Sequence, residues 1–138
     1  MKVQFIGLGY IGLPSAAMMA QNNVTVLGVD VDSKIVENIN KGIIHIVEPG
    51  LEKVVKKVVS EGYLKASLNP QKADVHLIVV PTPFKENNEP DISFVKAATS
   101  SVLPFLKKGD LFIIESTSPV GTTEKIADFI FRERPELK

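Results

Sequence analysis

Val3-Gln4-Phe5-Ile6-Gly7-Leu8-Gly9-Tyr10-Ile11-Gly12 is an apolar strand running straight into G-x-G-x-x-G, and a helical pattern follows at once. A second apolar strand, Val24-Thr25-Val26-Leu27-Gly28-Val29, ends on Asp30. Strand, glycine turn, helix, strand and acid together make a dinucleotide-binding half-site. Gly7 permits the tight turn, Gly9 lets a pyrophosphate approach the backbone, and Gly12 lets the helix pack close to the sheet. The helix start offers unpaired N–H groups and a positive dipole end to phosphates. Asp30 lies at the offset, roughly 20 residues on, where a carboxylate meets the ribose hydroxyls.

The rest of the chain extends this unit by alternation. The first helix is expected over about Tyr10 to Gln21, with Ile11, Ala16, Met19 and Ala20 on its buried side, Pro14 in its first turn, and Met18 and Met19 as core filler. Asp32 or Ser33 caps a short helix that Gly42 ends. Ile43–Gly50 reads as a loop. Leu51, Val54, Val55, Val58 and Val59 then fall at helical spacing, with Lys53, Lys56 and Lys57 off the stripe as a solvated face and Gly62 as terminator. Leu64–Leu68 is a short strand, and Val75–Val80 has the continuous apolar run of a strand buried on both faces. Asp91 caps a helix carrying Phe94, Val95, Ala98, Val102 and Leu103, Leu111–Ile114 is a fifth strand, and a last helix opens at Thr122 with Ile126, Ala127 and Ile130 inward.

Alternating strands and helices require right-handed crossovers. The expected fold is therefore α/β and Rossmann-like: a doubly wound parallel sheet of order 3-2-1-4-5 in three layers. Ligands of such sheets bind beyond the carboxyl ends of the strands, at the switch point beside strand 1. Three loops meet there: Gly7–Gly12, Pro81–Pro83 and Ser116–Gly121.

Composition narrows the function. The 138 residues suffice for one domain with a real core. Sixteen basic residues balance sixteen acidic ones, so neither nucleic acid nor an anionic membrane is an expected partner. No apolar run reaches the roughly 18 residues of a membrane span. The start directly in a strand predicts no secretory leader, and a cytoplasmic location is expected. There is no cysteine, hence no disulfide and no thiol nucleophile. His45 and Glu48 share a loop, but two potential ligands do not make a metal site, so no metal is expected. His76 falls inside a buried strand and reads as a satisfied core histidine. Thr82, between two prolines, keeps a hydroxyl as a handle for a cofactor or is a rigid turn. Thr117 stands in a hydroxyl-rich stretch after the fifth strand. Thr122 and Thr123 serve a site or simply cap the last helix, and Glu115 is a candidate base or a structurally held strand-end acid.

Five ordered motifs carry a resemblance: Gly7–Pro14, His45-Ile46-Val47-Glu48-Pro49-Gly50-Leu51, Val80-Pro81-Thr82-Pro83-Phe84-Lys85, Glu89-Pro90-Asp91, and Glu115-Ser116-Thr117-Ser118-Pro119-Val120-Gly121-Thr122-Thr123. Together they span essentially the whole chain and resemble the nucleotide-sugar 6-dehydrogenases, which include UDP-glucose dehydrogenase. The His-Ile-Val-Glu-Pro and Pro-Thr-Pro-Phe-Lys wording looks most like the UDP-N-acetyl-D-mannosamine dehydrogenase branch. The resemblance implies oxidation of a sugar C6 alcohol to a carboxylate in two NAD-dependent hydride transfers, with a cysteine thiol holding the aldehyde-level carbon. It implies NAD as cofactor, a UDP-sugar substrate and a full-length homodimer or larger assembly. It places Tyr10, Ile11, Asp30 and Thr82 on NAD, Thr117 near the nicotinamide as the catalytic candidate that places water or substrate, and Thr123 at the cofactor site. The family's cysteine, its lysine and its sugar domain have no counterpart here. Residues 1–138 are thus expected to be an NAD-binding Rossmann domain, cut before a sixth strand and catalytically incomplete alone. The readings set against this are a UDP-glucose 6-dehydrogenase lobe, a freestanding NAD-binding regulatory module, and a flavin-binding lobe using the same glycine turn.

Overall fold

The computed structural model describes residues 1–138. Five parallel strands, β1 (Lys2–Ile6), β2 (Thr25–Val29), β3 (Leu64–Ser67), β4 (Val75–Ile78) and β5 (Leu111–Ile114), form one sheet in the order β3-β2-β1-β4-β5. The helices are α1 (Gly12–Gln21), α2 (Ser33–Asn40), α3 (Leu51–Ser60), α4 (Ser93–Val102) and α5 (Thr122–Glu133). The chain builds outward from β1 to one edge, then returns to build the other edge from β4. That reversal is the switch point the sequence predicts. No helix is long and apolar enough to cross a membrane.

Strand alternation divides the core between the two faces. Val3, Phe5, Val26, Leu64 and Leu77 pack against α1, α2 and α3. Ile6, Leu27, Val29 and Ile78 pack against α4 and α5. In α3 the buried stripe is Leu51, Val55 and Val58, and Lys53, Lys56 and Lys57 face solvent as their spacing predicts. Asp32 caps α2 by accepting the amides of Lys34 and Ile35 at 2.8 and 3.4 Å. Gly42 and Gly62, both at positive φ, end α2 and α3.

Four expectations need correction. α1 begins at Gly12, not Tyr10, and its buried face is Gly12, Leu13, Ala16, Ala17 and Ala20. Ile11, Met18 and Met19 are exposed and are not core. Asp91 is not the cap of α4, which starts from Ile92; its carboxylate takes the Ser93 amide at 2.9 Å one residue early. Phe94 is half exposed, not inward.

The buried histidine belongs to a polar chain below the sheet. Gln4 Oε1 accepts the Gln71 amide at 2.7 Å, which leaves the Gln4 amide nitrogen facing His76 Nδ1 at 2.9 Å. Nδ1 must therefore be the acceptor, and the ring carries its proton on Nε2. Nε2 lies 3.4 Å from Asp110 Oδ2, long for a hydrogen bond. Asp110 also receives the amide and ammonium of Lys107, whose ammonium lies 3.5 Å from Asp74. Burial would raise the Asp110 carboxyl, but Lys107 outweighs it and holds it below the ordinary range. Burial lowers the His76 imidazole, with Asp110 pulling the other way, and the ring stays net lowered.

A folded histidine with a depressed affinity for protons makes stability fall as pH falls. Above about 6.5 neither state is protonated; below it the unfolded chain binds the proton first. The urea midpoint is expected to drop between pH 7.5 and 5.5, above the range where carboxylates titrate. His76→Gln should flatten that slope while lowering the midpoint overall. An equal slope in both proteins would assign the dependence elsewhere.

Candidate functional site

The glycine turn is built by three different constraints. Gly7 sits at φ +107°, and a Cβ there would lie 2.2 Å from the Val79 carbonyl oxygen. A Cβ on Gly12 would lie 2.0 Å from the Gly7 oxygen. Gly9 is the opposite case, since a Cβ there meets nothing within 4 Å and would project into open cleft. Beneath the turn Leu8 is fully buried, and β2 makes room with Gly28, where a Cβ would fall 2.6 Å from a Leu8 methyl. The first backbone bond into α1 is from the Leu13 amide to Gly9 at 3.1 Å. The amides of Tyr10, Ile11 and Gly12 therefore have no backbone acceptor, and α1 has no capping side chain and no acid in its first turn. Such an end favours an anion.

Asp30 follows β2 directly and is fixed before any ligand arrives. One carboxylate oxygen accepts the Leu8 amide and the other the Asp32 amide, each at 3.0 Å. The acid is thus tied to the glycine turn on one side and to the cap of α2 on the other. Its remaining lone pairs can accept from a vicinal diol.

The cleft over the strand ends has a volume of about 690 Å³ and reaches both sides of the switch point. Gly7, Gly9, Tyr10, Ile11, Asp30, Thr82, Glu115 and Thr117 all line it. The hydroxyls of Thr82 and Thr117 are free of intramolecular hydrogen bonds, whereas Thr122 bonds back to the Pro119 carbonyl at 2.8 Å. Gly12 lies under the turn and supports the cleft without lining it. Thr123 is not brought to this cleft. It is exposed on α5 and lines a separate apolar groove with Phe112, Ile126 and Phe131. The cap of α5 is Gly121, at φ +86° and with no capping side chain, so neither Thr122 nor Thr123 caps the helix.

The sequence reading missed two groups. Val31, Leu68, Asn69 and Pro70 line the cleft together with Phe94 and Ser101 of α4. Phe94 is apolar and at helical spacing, so periodicity assigns it to the core, and Val31 belongs to no periodic stretch; both are exposed. Ser116 is the second. Its hydroxyl accepts the Val80 amide at 3.0 Å and donates to the Val80 carbonyl at 2.8 Å. No local pattern announces a bond between residues 36 apart.

An open space above Gly9, unpaired amides at a helix start and a pre-set carboxylate lining the same cleft together fit a dinucleotide. Comparison with known proteins agrees. The family model for the UDP-glucose/GDP-mannose dehydrogenase family, NAD binding domain, matches residues 1–138. A UDP-N-acetyl-D-mannosamine dehydrogenase of Yersinia pestis is 58% identical over 98% of this chain and 32% of its own length. An NDP-N-acetyl-D-galactosaminuronic acid dehydrogenase of Ralstonia nicotianae is 50% identical over the same shares. Among solved structures, a UDP-N-acetyl-mannosamine dehydrogenase from S. aureus superposes with a TM-score of 0.93 at 42% identity, covering 98% of this chain and 33% of that one. The chain thus spans about a third of the length of the curated relatives it matches. The chain belongs to the UDP-glucose/GDP-mannose dehydrogenase family, of which it is an NAD-binding domain.

Proposed function

We propose that this domain is the cofactor lobe of a UDP-N-acetyl-D-mannosamine 6-dehydrogenase, which oxidises the sugar C6 alcohol to a carboxylate with two NAD. The observation that carries the cofactor side is the pairing, across one cleft, of free α1 amides with an Asp30 already anchored at both oxygens. The sugar is supported by the relatives' names, the more similar of the two being the mannosamine enzyme.

In this reading the amides of Tyr10 and Ile11 hold the pyrophosphate, and Gly9 leaves room for it. Asp30 accepts from the adenosine ribose hydroxyls. NAD, when bound, supplies the hydride acceptor. Thr82 and Thr117 orient its nicotinamide end from the two strands beyond the switch point, and Thr117 also places water or the sugar hydroxymethyl. The UDP-sugar is held by residues outside these 138, the assembly is a homodimer or larger, and the enzyme works in the cytoplasm.

Asp30 also sets the cofactor type. A 2′-phosphate would be brought against a carboxylate that cannot turn away, and Lys34 is the only cation close in sequence. NAD should bind at least tenfold tighter than NADP by calorimetry. Asp30→Asn keeps the size but offers only one oxygen to two amide donors, and should weaken NAD by about 1–3 kcal/mol. NADP binding as tight as NAD would overturn the role of Asp30. For the sugar, the protein at its natural length should form NADH fastest with UDP-N-acetylmannosamine. Faster turnover of UDP-glucose or of a UDP-N-acetylgalactosamine would reassign the substrate.

A further inference from the structure

The ladder between β4 and β5 ends at the pair Ile78 and Ile114. In register, the next pair on the same side would be Val80 and Ser116. There the backbones no longer pair, because Pro81 and Thr82 must leave the sheet to reach the cleft. The Ser116 hydroxyl takes over. It has one proton and two acceptor sites. The Ile78 carbonyl, 3.2 Å away, already receives the amides of Glu115 and Ser116 at 3.0 and 3.2 Å. The proton therefore goes to the Val80 carbonyl at 2.8 Å, while the oxygen accepts the Val80 amide at 3.0 Å. One side chain satisfies both backbone groups of the last residue before the Pro81 turn.

Ser116 itself contacts the cleft only at its wall, and its hydroxyl is spent on Val80. Its neighbours carry the handles: Thr117 is the next residue, and Thr82 lies two past Val80 with the φ of Pro81 fixed between them. We infer that Ser116 is a positioning residue, a side-chain rung that fixes the spacing of the Thr82 and Thr117 hydroxyls and so serves the nicotinamide half of the cofactor and not the adenosine half. This inference rests on the reading of the cleft as an NAD site.

The adenosine half is gripped by the α1 amides, Asp30 and the Val31 and Leu68–Pro70 wall, none of which Ser116 touches. ADP-ribose carries that half with the pyrophosphate and the second ribose but lacks the nicotinamide. The ratio of NAD to ADP-ribose affinity is therefore the readout, measured by calorimetry on the 138-residue domain, with a thermal melt to confirm folding. The wild type should prefer NAD. Ser116→Ala should shrink that preference at least fivefold while ADP-ribose affinity stays within twofold, and Ser116→Thr, which keeps the hydroxyl, should restore it. If Ser116→Ala does not fold, Ser116→Cys replaces it, since a thiol fills the site but bonds weakly, and the same loss of preference is expected. An unchanged ratio in the Ala or Cys variant, a parallel loss of both ligands, or a wild-type ratio of one would overturn the proposal. Failure of the wild type to bind either ligand would instead overturn the cofactor reading on which it rests.

Discussion

Gly9→Val is expected to abolish NAD binding and leave the fold intact. The position carries ordinary backbone geometry, and a Cβ there meets no protein atom within 4 Å. Nothing in the apo domain therefore resists the side chain, and the thermal midpoint should stay near that of the wild type. The branched side chain would instead occupy the space directly above the free amides of α1. A pyrophosphate held by those amides must come within hydrogen-bond distance of the backbone, about 2.7–3.2 Å. It cannot do so through an isopropyl group. Calorimetric titration should give no heat of NAD binding at concentrations that saturate the wild type, while circular dichroism is unchanged. Retained binding would mean that the phosphates lie elsewhere.

Gly7→Ala should do the reverse and damage the fold itself. Two penalties act together. The position sits at φ +107°, where a non-glycine residue costs on the order of 1–3 kcal/mol. The new Cβ would also fall 2.2 Å from the Val79 carbonyl oxygen, backbone that cannot step aside because the Val79 amide is bound to Ile6 at 2.8 Å. Overpacking of this kind costs about 1–3 kcal/mol more. The sum is a large share of the few to fifteen kcal/mol that holds a domain together. Chemical denaturation should show a markedly lower midpoint, or no cooperative transition. A wild-type midpoint would show that the turn can relax. The two glycines stand two residues apart in one motif and should fail by different routes.

Much of this was readable in the sequence because it is local. The strand leading into the glycine turn, the i, i+3, i+4 stripe of α3 and the glycines that end α2 and α3 are each set by neighbours within a few residues. Strand order followed from alternation and crossover handedness. Asp30 was found by its offset, but its double anchoring was not, since the Leu8 amide is 22 residues away. The failures share a cause. Ile11 and Phe94 are apolar residues at helical spacing, so periodicity sends them inward; the structure turns them to a cleft that exists only once the segments after all five strands meet. The Gln4–His76 pairing joins residues 72 apart, and the Ser116 bridge joins β5 to the end of β4. Such contacts depend on register, which the sequence pattern sets only to within which face is buried.

Leu8 occupies two places at once. Its side chain is locked in the core against Gly28, and its amide holds the carboxylate of Asp30. The floor of the cleft and the acid at its side are therefore parts of one rigid body, formed when the chain folds. The conformational entropy of ordering that body is lost at folding and not at binding. What remains to be ordered when a dinucleotide arrives is chiefly the ligand, a flexible molecule whose own torsions must be frozen along a track that does not move.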